Sequence, residues 1–187
     1  MIIQGEALEV MVSYRPGAFE AIITDAPYDL TPDQMKAYLA EFRRLTTGTI
    51  IIFAAPENQW PASDQYLFWT KPISTKNTSK RYRRFVEVIH VYTGPSAQWF
   101  PKRNWANYVN VFPDFVEAKT GHPYQKPLSL MERLILNHTA PNDTILDPFC
   151  GSGTTGVAAI RTDRNFTGIE KEKEYAELAQ QRLDHER

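Results

Sequence analysis

A single cysteine, Cys150, stands among 187 residues, with only four histidines beside it. One thiol cannot build an internal disulfide framework, and it fits a reducing compartment. One Cys and four dispersed His give no basis for a zinc site, so no metal is expected. Long apolar runs are missing as well. The longest aliphatic stretch, Thr49 to Ala55, falls far short of the roughly 20 residues that a spanning helix needs, and no membrane partner is expected. The start, Met1-Ile2-Ile3-Gln4-Gly5-Glu6, has no basic region ahead of an apolar segment and does not read as a secretory leader. These absences together set the expectation of a cytoplasmic protein.

Net charge is also nearly absent, with 21 Lys and Arg against 22 Asp and Glu. The total conceals a segregation. Residues 65–113 hold eight basic residues and one acid, Glu87, a local balance of +7, and the rest of the chain carries −8. A neutral total gives no hint of a polyanionic partner, whereas this segregation points to nucleic acid. Apolar residues at 42% and charged residues at 23% are ordinary for a globular protein, and the length suits one domain over 1–187.

The local pattern is that of an α/β protein. Ala21-Ile22-Ile23-Thr24-Asp25 is an apolar strand that breaks at Ala26-Pro27-Tyr28-Asp29. A helix start follows, with Thr31 as cap, Pro32 in the first helical position and Gln34 completing a capping box. Met35, Tyr38, Leu39, Phe42 and Leu45 repeat at helical spacing. Thr49 to Ala54 reads as a buried strand, which completes a strand–helix–strand unit typical of parallel sheets. Tyr66 to Thr70 and Phe85 to Tyr92 are further strands. Residues 94–124, rich in Pro, Asn and aromatics, show no sustained period and read as a long irregular excursion. Beyond it come a helix at Leu128 to His138, a strand at Thr144 to Asp147, a Gly-rich loop through Gly156, a helix at Val157 to Arg161, a strand at Phe166 to Glu170, and a last helix carrying Tyr175, Leu178, Ala179, Arg182 and Leu183.

Three motifs carry chemistry. Gly151-x-Gly153-x-x-Gly156 joins a strand to a helix, and Glu170 ends the next strand about 20 residues on. Glycines admit a ligand to the backbone, a helix N-terminus offers free N–H groups, and a carboxylate there can hold ribose hydroxyls. The pattern alone fits a dinucleotide, S-adenosylmethionine or a tight structural turn. At Asp25-Ala26-Pro27-Tyr28, Pro27 holds Ala26 extended. The Asp25 carboxylate and the Ala26 carbonyl could then accept hydrogen bonds from one amino group, with Tyr28 stacking on a planar ring. An ordinary strand-ending turn is the bland alternative. His122-Pro123-Tyr124-Gln125-Lys126-Pro127 precedes a helix and on its own reads as a helix-start signal.

Together, and in this order, the three motifs resemble those of the DNA amino-methyltransferases of the permuted beta class. The likeness runs over nearly the whole chain, including Phe68-Trp69-Thr70-Lys71-Pro72, Glu87-Val88-Ile89-His90-Val91-Tyr92 and Gly168-Ile169-Glu170. It implies a Rossmann-like methyltransferase fold with circularly permuted motif order, built on a mixed, mainly parallel seven-stranded sheet with helices on both faces. It implies S-adenosylmethionine as cofactor, held by His122, Lys126, Pro127, Asp147, Phe149, Gly151, Ser152, Gly153 and Glu170. It assigns methyl transfer to an exocyclic amine in DNA to Asp25, Ala26, Pro27 and Tyr28, with adenine N6 favoured by the Asp in first position and cytosine N4 as the alternative. Ala26 departs from the family's usual proline; it supplies the same carbonyl with less rigidity. A catalytically inactive DNA-binding copy is the other alternative.

The resemblance further implies a target-recognition region at about 71–121, double-stranded DNA as partner, and allows a homodimer. Lys76, Lys80, Arg81, Arg83 and Arg84, then Lys102 and Arg103, are the candidate phosphate contacts, because no acid interrupts the run from Lys71 to Arg84. Cys150 lies inside the cofactor loop and reads as a small loop residue, not a nucleophile.

Overall fold

The structure is a computed structural model that describes residues 1–71, 86–100, 110–113 and 125–186. Thirteen elements follow one another among these: β1 (Ile2–Gln4), α1 (Ala7–Met11), β2 (Ala21–Asp25), α2 (Pro32–Leu45), β3 (Thr49–Ala54), β4 (Gln65–Thr70), β5 (Val86–Thr93), β6 (Val111–Phe112), α3 (Leu128–His138), β7 (Thr144–Asp147), α4 (Thr154–Arg161), β8 (Asn165–Glu170) and α5 (Lys173–His185). The strands form one sheet in the order β1-β8-β7-β2-β3-β5-β4-β6. Among the described residues only β5 runs against its neighbours, pairing antiparallel with both β3 and β4. The expected seven strands are thus joined by an eighth, β6, at the edge beside β4. It lies inside the stretch read as irregular. Phe112 is 2% exposed and opposite Trp69, so burial of one ring is enough to draw two residues into register.

Aliphatic runs with no polar alternation make β2 and β3 central strands, buried on both faces. Ile23, Ile51, Phe53 and Ile89 face one core with α3, α4 and α5. Ile22, Ile50 and Ile52 face a second core with α1 and α2. The α2 start forms as read: the Thr31 side chain accepts from the Gln34 N–H, the Gln34 side chain accepts from the Thr31 N–H, and Met35, Tyr38, Leu39, Phe42 and Leu45 are all buried.

The Gly-rich segment departs from its sequence reading at one point. α4 begins at Thr154, three residues before the expected Val157, because Gly153 takes a left-handed φ of 79° and turns the chain directly into the helix. Gly156 is therefore helical. A Cβ there would lie 2.6 Å from the Phe166 ring and 2.9 Å from Leu183, so this glycine serves close packing of α4 on β8 and α5.

From β7 the chain crosses by α4 outward to β8, and from β2 it crosses by α2 outward to β3, the opposite way. Adjacent strands that send their connections apart open a crevice at their carboxyl ends. Asp25 ends β2, Asp147 ends β7 and Glu170 ends β8, so three acids meet at that crevice.

Candidate active site

A cleft of about 590 Å³ opens there, walled by Asp25, Tyr28, Phe149, Gly151, Glu170 and Tyr175 among others. A smaller cavity of about 50 Å³ shares Asp25, Phe149 and Gly151 with it and is lined also by Lys126, Asp147 and Ser152. Strand tip, glycine loop and Glu170 are thus brought to one place, as is Lys126 from the segment before α3.

Glu170 is oriented by backbone. Its Oε2 accepts from Gly151 N–H at 2.9 Å and its Oε1 from Glu172 N–H at 2.8 Å. Each oxygen keeps capacity to accept again, which suits a diol ligand. Arg182 holds the loop from α5, donating to Ser152 O at 2.6 Å and Ser152 Oγ at 3.1 Å. Nothing in the helical spacing of Arg182 signals this grip. Tyr175, on the same helix, lines the cleft.

Asp147 is held by protein on both oxygens. Its Oδ1 accepts from the Thr24 hydroxyl at 2.7 Å and Phe149 N–H at 3.1 Å, and its Oδ2 from the Thr155 hydroxyl at 2.6 Å. Burial pushes its pKa up to about 6, against these three hydrogen bonds, which pull it down. Cys150 is buried, and that burial raises its thiol pKa well above the usual value, with Asp147 and Glu170 adding to the effect. A thiol held neutral is a poor nucleophile, in keeping with a small loop residue.

At the strand tip, Asp25 Oδ2 accepts from Lys126 Nζ at 2.6 Å and Oδ1 from the Tyr28 hydroxyl at 3.3 Å. Burial raises the Asp25 pKa, and Lys126 opposes that rise. Ala26 is buried in the second core. The Tyr28 ring is 41% exposed over the cleft, and its backbone is pinned by Asn58 Nδ2, which donates to Tyr28 O at 2.9 Å. The Tyr28 hydroxyl is pushed far above its ordinary pKa by burial, then by Asp25 and Glu87.

Glu87 is the acid that motif reading left without a role. It is 6% exposed on β5, opposite Trp69, with Lys126 Nζ 3.1 Å from Oε2 and Lys71 paired to Oε1. A lone acid inside a run of cations, on a strand of buried residues, was the available signal. Pro127 precedes α3 as the expected start residue. His122, Lys76, Lys80, Arg81, Arg83, Arg84, Lys102 and Arg103 lie outside the described residues. Among the described residues no group of three His, Cys, Asp or Glu could hold a metal ion, and no helix is long and apolar enough to cross a membrane.

Comparison with known proteins agrees with this arrangement. The chain is 28% identical to the Type II methyltransferase M2.MboI of Moraxella bovis over 240 aligned positions, covering 97% of this chain and 86% of that protein. The crystal structure of the M1.HpyAVI–SAM complex superposes with a TM-score of 0.77 at 34% identity, over 98% of this chain and 99% of that one. The PvuII DNA methyltransferase, described as cytosine-N4-specific, shares the fold at TM-score 0.75 and 17% identity, over 97% of this chain and 85% of that one. Residues 49–181 match the N6/N4 DNA methylase family. With a doubly wound sheet, a glycine loop and an acidic strand tip converging on one cleft, and with this match spanning most of its length, the chain belongs to the N6/N4 DNA methylases.

Proposed function

We propose that this protein transfers a methyl group from S-adenosylmethionine to the N6 amine of adenine in double-stranded DNA. The observation that carries the reading is the position of Asp25: its carboxylate stands at a strand tip in the same cleft that Gly151 and Glu170 line. The residues present fit the cofactor. Glu170, already oriented by two N–H groups, suits ribose hydroxyls, and the Gly151–Gly153 turn brings backbone to the cleft wall. The bound cofactor would supply an electrophilic methyl on a sulfonium.

The chain's own residues do the rest. An exocyclic amine is a poor nucleophile because its lone pair is delocalised into the ring. Accepting its hydrogens at Asp25 and at the Ala26 carbonyl favours a pyramidal nitrogen and frees that lone pair. The exposed Tyr28 ring would stack on the base, which must leave the duplex to reach the cleft. Asp in the first motif position supports adenine over cytosine. The Type II names among its relatives support a place in restriction–modification. Residues of about 71–121 would form the target-recognition region, and a homodimer is compatible with this arrangement. Methylome sequencing of DNA from cells expressing the protein tests the reading: N6-methyladenine in one sequence context is expected, N4-methylcytosine would reassign the base, and unmodified DNA would leave only a binding module.

Two further outcomes follow. Calorimetric titration of S-adenosylhomocysteine into Glu170→Ala should show affinity about tenfold or more below wild type, because hydrogen bonds to a charged acceptor contribute about 1.5–3 kcal/mol. Equal affinities would remove Glu170 from the cofactor site. For DNA, the logarithm of affinity should fall with the logarithm of salt at about −0.9 per phosphate contacted, and neutralising Arg83 and Arg84 should flatten that slope by up to about two units. An unaltered slope would move the DNA surface elsewhere, with Lys102 and Arg103 next.

A further inference from the structure

The Lys126 ammonium is shared by two carboxylates from different strands. It lies 2.6 Å from Asp25 Oδ2 and 3.1 Å from Glu87 Oε2. The sharing is unequal. The contact to Asp25 is a well-formed hydrogen bond, whereas the 3.1 Å approach to Glu87 Oε2, a wholly buried oxygen, is an ion pair without good hydrogen-bond geometry. A buried carboxylate oxygen left in that state is costly, and an ammonium within reach is its natural partner. Glu87 itself is anchored, because Lys71 pairs with its other oxygen.

Three rings surround the same ammonium, with Phe53 at 5.5 Å, Trp69 at 5.7 Å and Tyr28 at 5.8 Å from it to ring centre. Aromatic faces stabilise a cation without fixing one hydrogen-bond direction. The ammonium can therefore change carboxylates without leaving a favourable environment, and both acceptors already lie within 3.1 Å of it.

The proposed role of Asp25 requires its oxygens to accept hydrogens from an incoming amine, yet Lys126 holds Oδ2. We propose that Lys126 is a movable plug on the catalytic carboxylate and that Glu87 is a positioning residue that draws it off. With no base in the cleft the ammonium rests on Asp25; when a target amino group arrives, it shifts to Glu87 Oε2. This inference rests on the amine-binding role given to Asp25 above. The device solves a problem of burial. A carboxylate removed from water tends to take up a proton and lose an acceptor site. A resident ammonium opposes that uptake at Asp25, and Glu87 makes the ammonium displaceable at no change in the charge of the cleft.

The test uses Glu87→Gln, Lys126→Met and the double variant in the full chain. Glu87→Gln leaves the ammonium on Asp25 as its only carboxylate, so KM for DNA should rise at least about tenfold, a difference of about 1.4 kcal/mol, with the Kd for S-adenosylhomocysteine unchanged. Removing the plug as well should restore transfer severalfold above Glu87→Gln when the variants are compared at the alkaline end of their working range, because losing Lys126 removes the influence that opposes the burial-raised Asp25 pKa. A double variant no better than Glu87→Gln overturns the proposal. A second measurement needs no DNA. In protein carrying 15N-lysine, the ordered Lys126 ammonium signal should persist in Asp25→Asn, held by Glu87, and disappear when Glu87→Gln is added. Its loss in Asp25→Asn alone overturns the second berth. A persistent signal in a protein that methylates no DNA would fault the functional reading and leave the berth standing.

Discussion

Asp25→Ala should lower methyl transfer by at least about 10²–10³-fold, the usual cost of removing one preorganised group aimed at developing charge. The protein should stay folded. The Asp25 side chain borders the cleft and is not packed in either core, and its loss leaves Lys126 with Glu87 as a partner, so no bare charge is stranded. Affinity for S-adenosylhomocysteine should hold, because the loop and Glu170 are anchored independently of Asp25. Circular dichroism, calorimetry and a labelled-methyl assay on one preparation check all three. Near-normal turnover by the folded variant would end the proposed mechanism.

The second large effect is on stability and concerns Asp147. Asp147→Ala takes the acceptor away from two buried hydroxyls and one backbone N–H. At about 1–3 kcal/mol for each unsatisfied group, a loss of several kcal/mol is expected, a large fraction of the 5–15 kcal/mol that holds a typical domain. Asp147→Asn behaves differently. Its carbonyl can still accept from Thr24 and Phe149, and the Thr155 hydroxyl can rotate to accept from the new amide, so the cost should be about 1 kcal/mol or less.

The pair also separates in pH. The Asp147 pKa is about 6 in the fold against 3.8 unfolded, so between those values the native state binds more protons than the unfolded one. The contribution of this group therefore favours folding at the acid end and is lost as pH rises towards 6, by about 3 kcal/mol in all. Urea unfolding of wild type and Asp147→Asn across about pH 4 to pH 7 should give curves that diverge in that direction. Parallel curves would show that Asp147 ionises without penalty.

Local signals were legible wherever the cause was local. Thr31, Pro32 and Gln34 set the α2 start within four residues, and the aliphatic runs of β2 and β3 needed no partner to be read as strands. The glycine loop and Glu170 converge as their spacing implied. What escaped notice depends on distant parts of the chain. The Asp25–Lys126 pair joins residues 101 apart, and nothing local to Lys126 signals that its ammonium meets two acids. Asp147 spends both oxygens on Thr24, Phe149 and Thr155. The early start of α4 turns on one glycine dihedral that composition does not reveal. β1 is a strand only because β8, from the far end of the sequence, pairs with it.

The outer strands of the sheet have a consequence for how copies of this protein meet. Among the described residues the sheet ends on β1, three residues long, at one side and on β6, two residues long, at the other. A free edge invites another chain to add a strand and continue the ladder, which is the usual first step of edge-to-edge aggregation. Edges this brief offer too few rungs for such an addition to persist. The most deeply buried apolar strands, β2 and β3, lie in the middle, where neighbours already pair with them. A sheet whose most adhesive strands are interior and whose outermost described strands are this short is guarded against polymerising along its own hydrogen bonds.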